Sequence, residues 1–367
     1  MKNSTKKAVF ILPRPMISRL AGGYKMVYLY ANLMQKEGWR VGIQYSMYKD
    51  PIHFSIIIRL KSFILFCFYK ITRLYEKCNW FELNKNIKKQ IVWKPISDTS
   101  SSTELFIATA IGTAYSLEKM RLPTDRKIYF IQDFENWDFS DEEVYKSYQF
   151  GFKMVTISNW LNTCVASAGE KSTVIANGFD KEIFFIEKKI QERASRNILM
   201  MYHKDKRKGI KYGMQVILRL QKKYPNLNVT LFGVPQKPYD LPSWINYEQR
   251  PTRPRLRHLY NEASIYIAPS LTEGWGLTVG EAMMCGCAIA CTDIGGFREM
   301  AQNGETALMS APTDVDAMYA NVCCFIDNDA LRCKMATKGN EYIQKLSLDK
   351  SYKKWMVFID DAYNSAD

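Results

Sequence analysis

Short apolar runs alternate with helix-length amphipathic segments along the whole chain. In the first half, the runs that predict strands cover 8–12, 41–45, 105–110, 127–132, 154–158 and 173–176. In the second half they cover 197–202, 228–233, 264–269 and 287–292. Helical patterns fill the intervals, for instance at 24–37, 208–223, 254–263 and 276–285. Continuous apolar strands separated by helices are typical of a parallel sheet covered on both faces, and two such series predict two doubly wound α/β domains.

The two series meet after Asn-Gly-Phe-Asp at 177–180, where the charged stretch 187–196 precedes the first strand of the second half. We therefore predict an N-terminal Rossmann-like domain at 1–180 and a C-terminal Rossmann-like domain at 181–349. A chain of 367 residues is long enough for two domains that each close a core of their own.

One segment, 52–78, interrupts the alternation with a long and unusually apolar helical pattern. At about 100° per residue, Arg59, Lys70, Arg73 and Lys77 fall within about 60° of one another, beside a broad face of Ile, Leu and Phe. This pattern is typical of a helix in the plane of a membrane surface, and also of a helix buried in its own domain whose basic side chains reach solvent. No run of about 18 uncharged apolar residues occurs, so the sequence predicts no spanning helix.

The charge of the chain favours an anionic partner. There are 51 Lys and Arg against 37 Asp and Glu, a formal net charge of +14, and residues 1–180 hold 25 of the basic and 16 of the acidic residues. A phosphorylated small molecule or an acidic lipid surface fits this excess. Nucleic acid is not expected, because no nucleic-acid-binding motif accompanies the charge.

The histidines and cysteines predict neither a metal site nor a cofactor. Nine cysteines include no C-x-x-C, and there are only three histidines. The cluster Cys285, Cys287 and Cys291 could be three metal ligands, but small buried residues are the preferred interpretation. Free thiols are typical of a reducing compartment, and the apolar stretch near the N-terminus is too short for a signal peptide. We therefore expect a cytoplasmic protein, with peripheral attachment to the inner face of the plasma membrane as an open alternative.

The most specific chemistry lies in the stretch 269–296. A predicted strand leads into the loop Glu-Gly-Trp-Gly at 273–276, and a helix begins near Leu277 and carries Glu281. Glycines permit close approach of the backbone to a ligand, and the N–H groups at a helix start bind anions. The carboxylates of Glu273 and Glu281 suit the hydroxyls of a sugar or ribose, and the amides suit the phosphates that join them.

In this stretch the chain resembles glycosyltransferase family 4, the retaining glycosyltransferases of GT-B fold. Glu273 and Glu281 match the E-x7-E motif of that family, and EGWGLTVGEAMMCG is similar to its usual text EGFGLPxLEAMAxG. Further similar segments are VTISNWL at 155–161 and NGFD at 177–180, so the resemblance covers most of the chain. It implies two Rossmann-like domains facing across a cleft, with a C-terminal helix, 350–367, that crosses back onto the first domain.

The resemblance also implies roles for single residues. Donor-binding roles fall on Gly22, Gly23, His203, Lys208, Glu273, Gly274, Gly276, Leu277 and Glu281. Glu281 would hydrogen-bond the ribose, and Glu273 would hold hydroxyls of the donor sugar. The backbone amides of Gly276 and Leu277 would face the diphosphate or the sugar. The pair Gly22-Gly23, at the start of the first long helix, looks like the glycine loop that approaches the donor phosphate.

The chain departs from the family pattern at two positions. Lys208 matches the family lysine in register, but His203 stands where arginine is expected, and histidine is charged only part of the time near neutral pH. Gln132 stands where the family often has histidine. Asp133, next to it at the end of a predicted parallel strand, would face the cleft and position the donor sugar or the acceptor, unless it is a helix cap or a loop charge. The catalytic candidates are thus Glu273, Lys208 and Asp133.

The implied reaction moves a hexose or deoxyhexose from a nucleoside diphosphate to a hydroxyl, with retention at the anomeric carbon. The acceptor would be a glycan, lipid-linked or protein-linked, in surface polysaccharide or glycoconjugate synthesis, and segment 52–78 would contact an anionic membrane surface. No metal is expected, because Lys208 and a helix dipole would supply the positive charge. Two alternatives stay open: a nucleotide-sugar epimerase of the same fold, and a non-catalytic nucleotide-sugar-binding protein at the membrane surface.

Overall fold

The computed structural model describes residues 6–18, 21–48, 55–97 and 104–365. The chain divides into two units, of which the first comprises 1–176 with 351–367 and the second comprises 177–350.

The first unit is built on a parallel sheet. Its strands are β1 Lys7–Leu12, β2 Arg40–Ser46, β3 Lys88–Val92, β4 Glu104–Ala108, β5 Lys127–Ile131, β6 Lys153–Thr156 and β7 Thr173–Val174. Within the described residues they pair in parallel in the order β3-β2-β1-β4-β5-β6-β7. Its helices are α1 Gly22–Lys36, α2 Ile56–Thr72, α3 Ile111–Glu118, α4 Asp141–Tyr148 and α5 Asn159–Ser167.

The second unit repeats this plan. Its strands are β8 Asn197–Met201, β9 Asn228–Gly233, β10 Ile245–Gln249, β11 Ile265–Ala268, β12 Ala288–Thr292 and β13 Ala307–Ser310, paired in parallel in the order β10-β9-β8-β11-β12-β13. Its helices are α6 Ile210–Lys223, α7 Arg253–Glu262, α8 Leu277–Met284, α9 Gly295–Arg298, α10 Val315–Asp327 and α11 Asp329–Ile343. The predicted fold of two doubly wound parallel α/β domains is confirmed.

The boundary between the units lies four residues before the predicted one. The Phe179 N–H donates to the Leu346 carbonyl at 2.8 Å, and the Leu348 N–H donates to the Phe179 carbonyl at 3.1 Å. A Cβ at Gly178 would also overlap the backbone of Leu348. The segment 177–180 therefore pairs with the end of the second unit instead of closing the first.

The C-terminal helix, α12 Leu348–Asn364, packs on the first unit from Ser351 onward, as the resemblance implied. Trp355 is fully buried and stacks on Tyr30, with ring centroids 4.8 Å apart. It also contacts Phe130, at 5.0 Å between centroids. The Lys6 ammonium pairs with Asp360 at 2.6 Å, so the helix is held by apolar stacking and by charge.

Helix α2 is shorter than the predicted 52–78, whose first residues, 52–54, lie outside the described part of the chain. The helix ends at Thr72 because Arg73 adopts a left-handed backbone conformation, with φ 54°. Arg73 and Lys77 thus follow the helix, and the predicted four-residue basic stripe is wrong. Only Ser62 of the seventeen helix residues is buried, so the alternative of a helix buried in its own domain is also wrong. Within the described residues, no helix combines the length and apolar composition needed to cross a bilayer.

Candidate active site

Lys208 and Glu273 meet at the carboxyl edge of the second sheet. Lys208 lies in the loop after β8, and Glu273 lies in the loop after β11. These strands are paired neighbours, so their following loops reach the same edge. The Lys208 Nζ lies 2.7 Å from both carboxylate oxygens of Glu273. The two side chains are 23% and 13% exposed, so this ion pair is largely shielded from water.

A serine and the backbone hold the two loops together. The Ser270 hydroxyl donates to Glu273 Oε1 at 2.9 Å. The Leu271 N–H donates to the Arg207 carbonyl at 2.7 Å. A Cβ at Gly209 would overlap the Pro269 carbonyl oxygen, so only glycine permits this approach. Ser270 was not among the residues predicted from the sequence, although a hydroxyl residue directly after a buried strand was a usable signal.

The glycine loop after Glu273 leads into α8. Gly276 has φ +96°, and a Cβ there would lie 2.5 Å from the Phe297 ring. Leu277 begins the helix, and no side chain caps it. A Cβ at Gly296 would lie 2.9 Å from the Gly274 carbonyl carbon, so this loop runs tightly along the start of α9. The N–H groups at the start of α8 therefore belong to the same loop as the ion pair, and such groups favour anions.

Glu281 is buried within α8, at 6% exposure. The Tyr260 hydroxyl donates to Glu281 Oε2 at 3.3 Å. Burial, and secondarily the charge of Glu281, raise the pKa of Tyr260 well above its ordinary value, so Tyr260 remains a hydrogen-bond donor. No local pattern could have identified Tyr260, since it comes from a different helix, α7.

His203 lies in the same loop as Lys208. Its Nδ1 accepts a hydrogen bond from the Asp205 N–H at 3.0 Å, so the neutral ring carries its proton on Nε2. Asp205 is paired with Arg207 at 2.6 Å. Burial acts to raise the pKa of Asp205, but hydrogen bonds from Arg207 outweigh it and the pKa falls below its ordinary value. Arg207 is therefore committed to a neighbour, whereas Lys208 reaches the site.

The first unit brings Gly23 and Gln132 together at the carboxyl edge of its own sheet. Gly22 begins α1 without a side-chain cap, and a Cβ at Gly23 would lie 3.3 Å from the Gln132 amide nitrogen. Asp133 follows Gln132, and its Oδ1 accepts from the Phe134 N–H at 3.0 Å. Gly22, Gly23 and Asp133, the three predicted residues of this unit, therefore lie at the carboxyl edge of its sheet.

Two neighbours of these residues are structural. Glu135 Oε2 accepts from the Ile111 N–H at 2.8 Å, so Glu135 satisfies the first N–H of α3. The Tyr24 hydroxyl donates to the Arg14 carbonyl at 2.7 Å and fixes the loop before α1.

In the second unit, the larger of two cavities does not lie beside the Lys208–Glu273 pair. The hollow beside Lys208 and Ser270 has a cavity volume of only about 10 Å³. A larger cavity of about 240 Å³ lies at the amino ends of β8 and β9, against Arg255 and His258 of α7. That cavity is at the opposite edge of the sheet from the ion pair. We favour the carboxyl edge, because the convergent charges and the glycine loop lie there.

No three histidine, cysteine, aspartate or glutamate side chains of the described chain are grouped so as to hold a metal ion. The three cysteines of the cluster are free and buried. Burial raises the pKa of Cys287 to about 12, and its thiol donates to the Tyr260 carbonyl at 3.0 Å. Burial also raises the pKa values of Cys285 and Cys291 above the ordinary value of a thiol.

Comparison with known proteins finds similarity in the segment that contains Lys208 and Glu273. Residues 197–328 match the family model described as Glycosyl transferases group 1. The O-antigen chain mannosyltransferase B of Escherichia coli is 34% identical over 96 residues, which are 26% of this chain and 25% of that protein. The chain spans half or less of the length of the curated relatives it matches.

Solved structures are similar over nearly the whole fold. Sucrose-phosphate synthase from Thermosynechococcus elongatus has a TM-score of 0.73 at 14% identity, covering 98% of this chain and 100% of that one. HepE from Anabaena in complex with UDP and glucose has a TM-score of 0.70 at 13% identity, covering 97% and 99%. The chain therefore has the GT-B fold.

Proposed function

We propose that the protein is a retaining glycosyltransferase of family 4 that moves a hexose or deoxyhexose from a nucleoside diphosphate to a hydroxyl. The observation that carries this proposal is the Lys208–Glu273 pair beside the uncapped start of α8. A carboxylate at this edge can accept hydrogen bonds from the hydroxyls of a sugar nucleotide. The lysine ammonium and the helix amides can donate hydrogen bonds to its phosphates. Both residues of the pair lie within 197–328, the segment that matches the glycosyltransferase model.

In this proposal, each candidate site residue of the second unit has a specific role. Lys208 and the amides of Gly276 and Leu277 bind the diphosphate. Glu273 accepts hydrogen bonds from the donor sugar, and Glu281 accepts them from the ribose. His203, with the proton of its neutral ring on Nε2, contributes a weaker donor at the position where the family has arginine. Gly274 keeps the loop thin enough for the sugar to approach.

The first unit takes the remaining roles. Gly22 and Gly23 leave room for a phosphate at the start of α1, and Asp133 positions the donor sugar or the acceptor. These assignments rest on position at the carboxyl edge of the sheet.

In the proposed reaction, the bond between the anomeric carbon and the diphosphate oxygen breaks, and its electron pair leaves with the diphosphate. The acceptor oxygen forms the new bond on the same face, and its proton passes to the departing diphosphate. Negative charge grows on the leaving group, so Lys208 and the α8 amides stabilise the transition state more than the ground state. No protein carboxylate needs to act as nucleophile, and no metal ion is required for this charge.

The acceptor is proposed to be a glycan, lipid-linked or protein-linked, in surface polysaccharide or glycoconjugate synthesis. The E. coli relative is named as an O-antigen chain mannosyltransferase, which supports this setting. The complex of HepE with UDP and glucose supports a sugar nucleotide as donor. We include peripheral contact with an anionic membrane surface through α2 in the proposal.

The test is a thermal-stability screen of nucleoside diphosphates and their sugars, followed by a transfer assay with the stabilising donor. A ligand at 100 times its Kd stabilises the folded protein by about 2.7 kcal/mol, which is readily visible as a higher Tm. We expect release of nucleoside diphosphate that depends on added acceptor and persists in excess chelator. Release without any acceptor, or loss of transfer on chelation with recovery in manganese, would contradict the proposal.

A further inference from the structure

Helix α2 presents an uncovered apolar row to solvent. Ile57, Leu60, Ile64, Phe68 and Ile71 are between 47% and 82% exposed. Their spacing of three, four, four and three residues places them on one face of the helix, within about 80° at about 100° per residue. We call these five residues the outward row.

The opposite face of α2 is the one that rests on the protein. Phe63 and Phe66 contact Trp93, with ring centroids 5.3 and 5.9 Å away. The Arg59 guanidinium lies over the Tyr48 ring, 5.6 Å from its centroid. Arg59 therefore points away from the outward row. The helix has a fixed orientation, and the outward row is not left exposed by a loosely attached segment.

The charge around this helix selects the kind of surface that can cover it. Lys61 and Lys70 are both exposed. At about 100° per residue, Lys61 lies about 20° beyond one edge of the outward row, and Lys70 lies about 80° beyond the other edge, on the side of Arg59. The sequence has no acidic residue between Asp50 and Glu76, and residues 1–97 carry 18 Lys and Arg against 4 Asp and Glu. This excess of +14 equals the formal net charge of the whole chain. A second copy of the same basic region would be repelled, whereas an anionic lipid surface is attracted.

We infer that α2 docks the protein on an anionic lipid bilayer by inserting the outward row between lipid headgroups, while Lys61 and Lys70 contact the phosphates. A helix with one apolar face and basic flanks lies in the plane of the interface, and long lysine side chains can reach headgroups from its edges. The inference rests on the proposed function, because docking at the bilayer would bring the protein to an acceptor that is carried on a lipid.

Insertion of the outward row distinguishes this inference from a purely electrostatic attraction. Charge attraction is screened beyond about 8–10 Å at moderate salt, so it alone would be reversed by salt. Burial of five apolar side chains is not screened. Binding should therefore persist in part at high salt, with the remaining affinity supplied by the outward row.

The experiment is co-sedimentation of the full chain with two kinds of vesicle: phosphatidylcholine alone, and phosphatidylcholine mixed with phosphatidylglycerol. The apolar variant carries Leu60→Ser, Ile64→Ser and Phe68→Ser. The matched control carries Ile96→Ser and Val357→Ser, which are equally exposed apolar residues outside α2. The apolar variant should keep the wild-type Tm because its side chains are already in water, so loss of binding cannot be assigned to unfolding.

We expect the wild type and the control to pellet with the phosphatidylglycerol vesicles. The apolar variant should lose at least about a hundredfold in partition coefficient. A variant with Lys61→Gln and Lys70→Gln should lose about tenfold, and less at high salt. Lys208→Ala should pellet like wild type while losing affinity for nucleoside diphosphates, so the docking and the donor site are tested separately.

Three results would overturn the inference. One is absence of pelleting of the wild type with anionic vesicles, while nucleoside diphosphates still bind. Another is equal pelleting with phosphatidylcholine alone, or equal pelleting of the apolar variant. The third is self-association of the wild type without lipid that the apolar variant abolishes, which would make the outward row an interface between copies.

Discussion

Truncation of Lys208 should affect both the stability of the second unit and its affinity for a nucleoside diphosphate. In the free protein the Lys208 ammonium lies 2.7 Å from both oxygens of Glu273, which is only 13% exposed. Lys208→Ala leaves that carboxylate with Ser270 as its remaining partner in this contact. Exposed pairs contribute about 0–1 kcal/mol, and breaking a buried pair costs about 3–5 kcal/mol. For this intermediate exposure we expect a loss of about 2 kcal/mol in the free energy of unfolding.

A double-mutant cycle measures the coupling between the two side chains. Glu273→Gln removes the charge but keeps an oxygen that can accept from Ser270. The double variant should therefore be more stable than the sum of the single effects predicts, by about 1–2 kcal/mol. Urea unfolding followed by tryptophan fluorescence is suitable, because Trp275 is buried at 3% exposure two residues from Glu273. Coupling below about 0.5 kcal/mol would refute the pair as a stabilising contact.

The same variant tests the role of the cation in binding. A charge-assisted contact contributes about 1.5–3 kcal/mol, so Lys208→Ala should weaken nucleoside diphosphate binding by roughly tenfold to a hundredfold. Lys206→Ala is the matched control, since it removes an exposed lysine from the same loop. Calorimetric titration gives both affinities. Equal affinity for Lys208→Ala and Lys206→Ala would remove Lys208 from the donor site.

Three further predictions concern other residues of the second unit. Glu281→Gln should lower the affinity for nucleoside diphosphates about tenfold with little change in Tm. Glu281→Ala should in addition lower the free energy of unfolding by about 1–3 kcal/mol, because it leaves the buried Tyr260 hydroxyl without that acceptor. Gly276→Ala should lower both Tm and donor affinity, because φ +96° and a nearby aromatic ring disfavour a Cβ; an unchanged melting curve would contradict this. In the native protein at neutral pH, iodoacetamide should modify the exposed Cys324 and spare Cys287, whose pKa is raised by burial to about 12. Mass spectrometry of the peptides shows which of the two cysteines is modified.

The fold was predictable where strands are buried on both faces, because such strands are apolar throughout. Three strands were missed from the sequence, and two of them do not have that composition. β3 begins Lys88-Lys89-Gln90, and β10 reads Ile-Asn-Tyr-Glu-Gln at 245–249, so both look like polar loops. β13 reads Ala-Leu-Met-Ser at 307–310, so its apolar run is only three residues long. β3 and β10 lie at sheet edges, where one side of the strand is uncovered and polar residues are tolerated.

The site was predictable in part. The glycine loop and its two carboxylates form a local pattern, and family resemblance supplied the register of Lys208. The contact between Lys208 and Glu273 joins residues 65 positions apart, so no local pattern could reveal it. The same holds for Tyr260 beside Glu281. The end of α2 at Arg73 was also hidden, since a left-handed backbone at a non-glycine residue has no clear sequence signal.

The most direct test of the account is hydrogen–deuterium exchange of the full chain with and without the nucleotide sugar that gives the largest thermal stabilisation. If the donor binds at the carboxyl edge of the second sheet, amides in 202–209 and 269–281 should become protected. The amides around Arg255 and His258, beside the larger cavity, should exchange unchanged. Protection confined to that cavity, or no protection in 269–281 at saturating ligand, would contradict the assignment of the donor site.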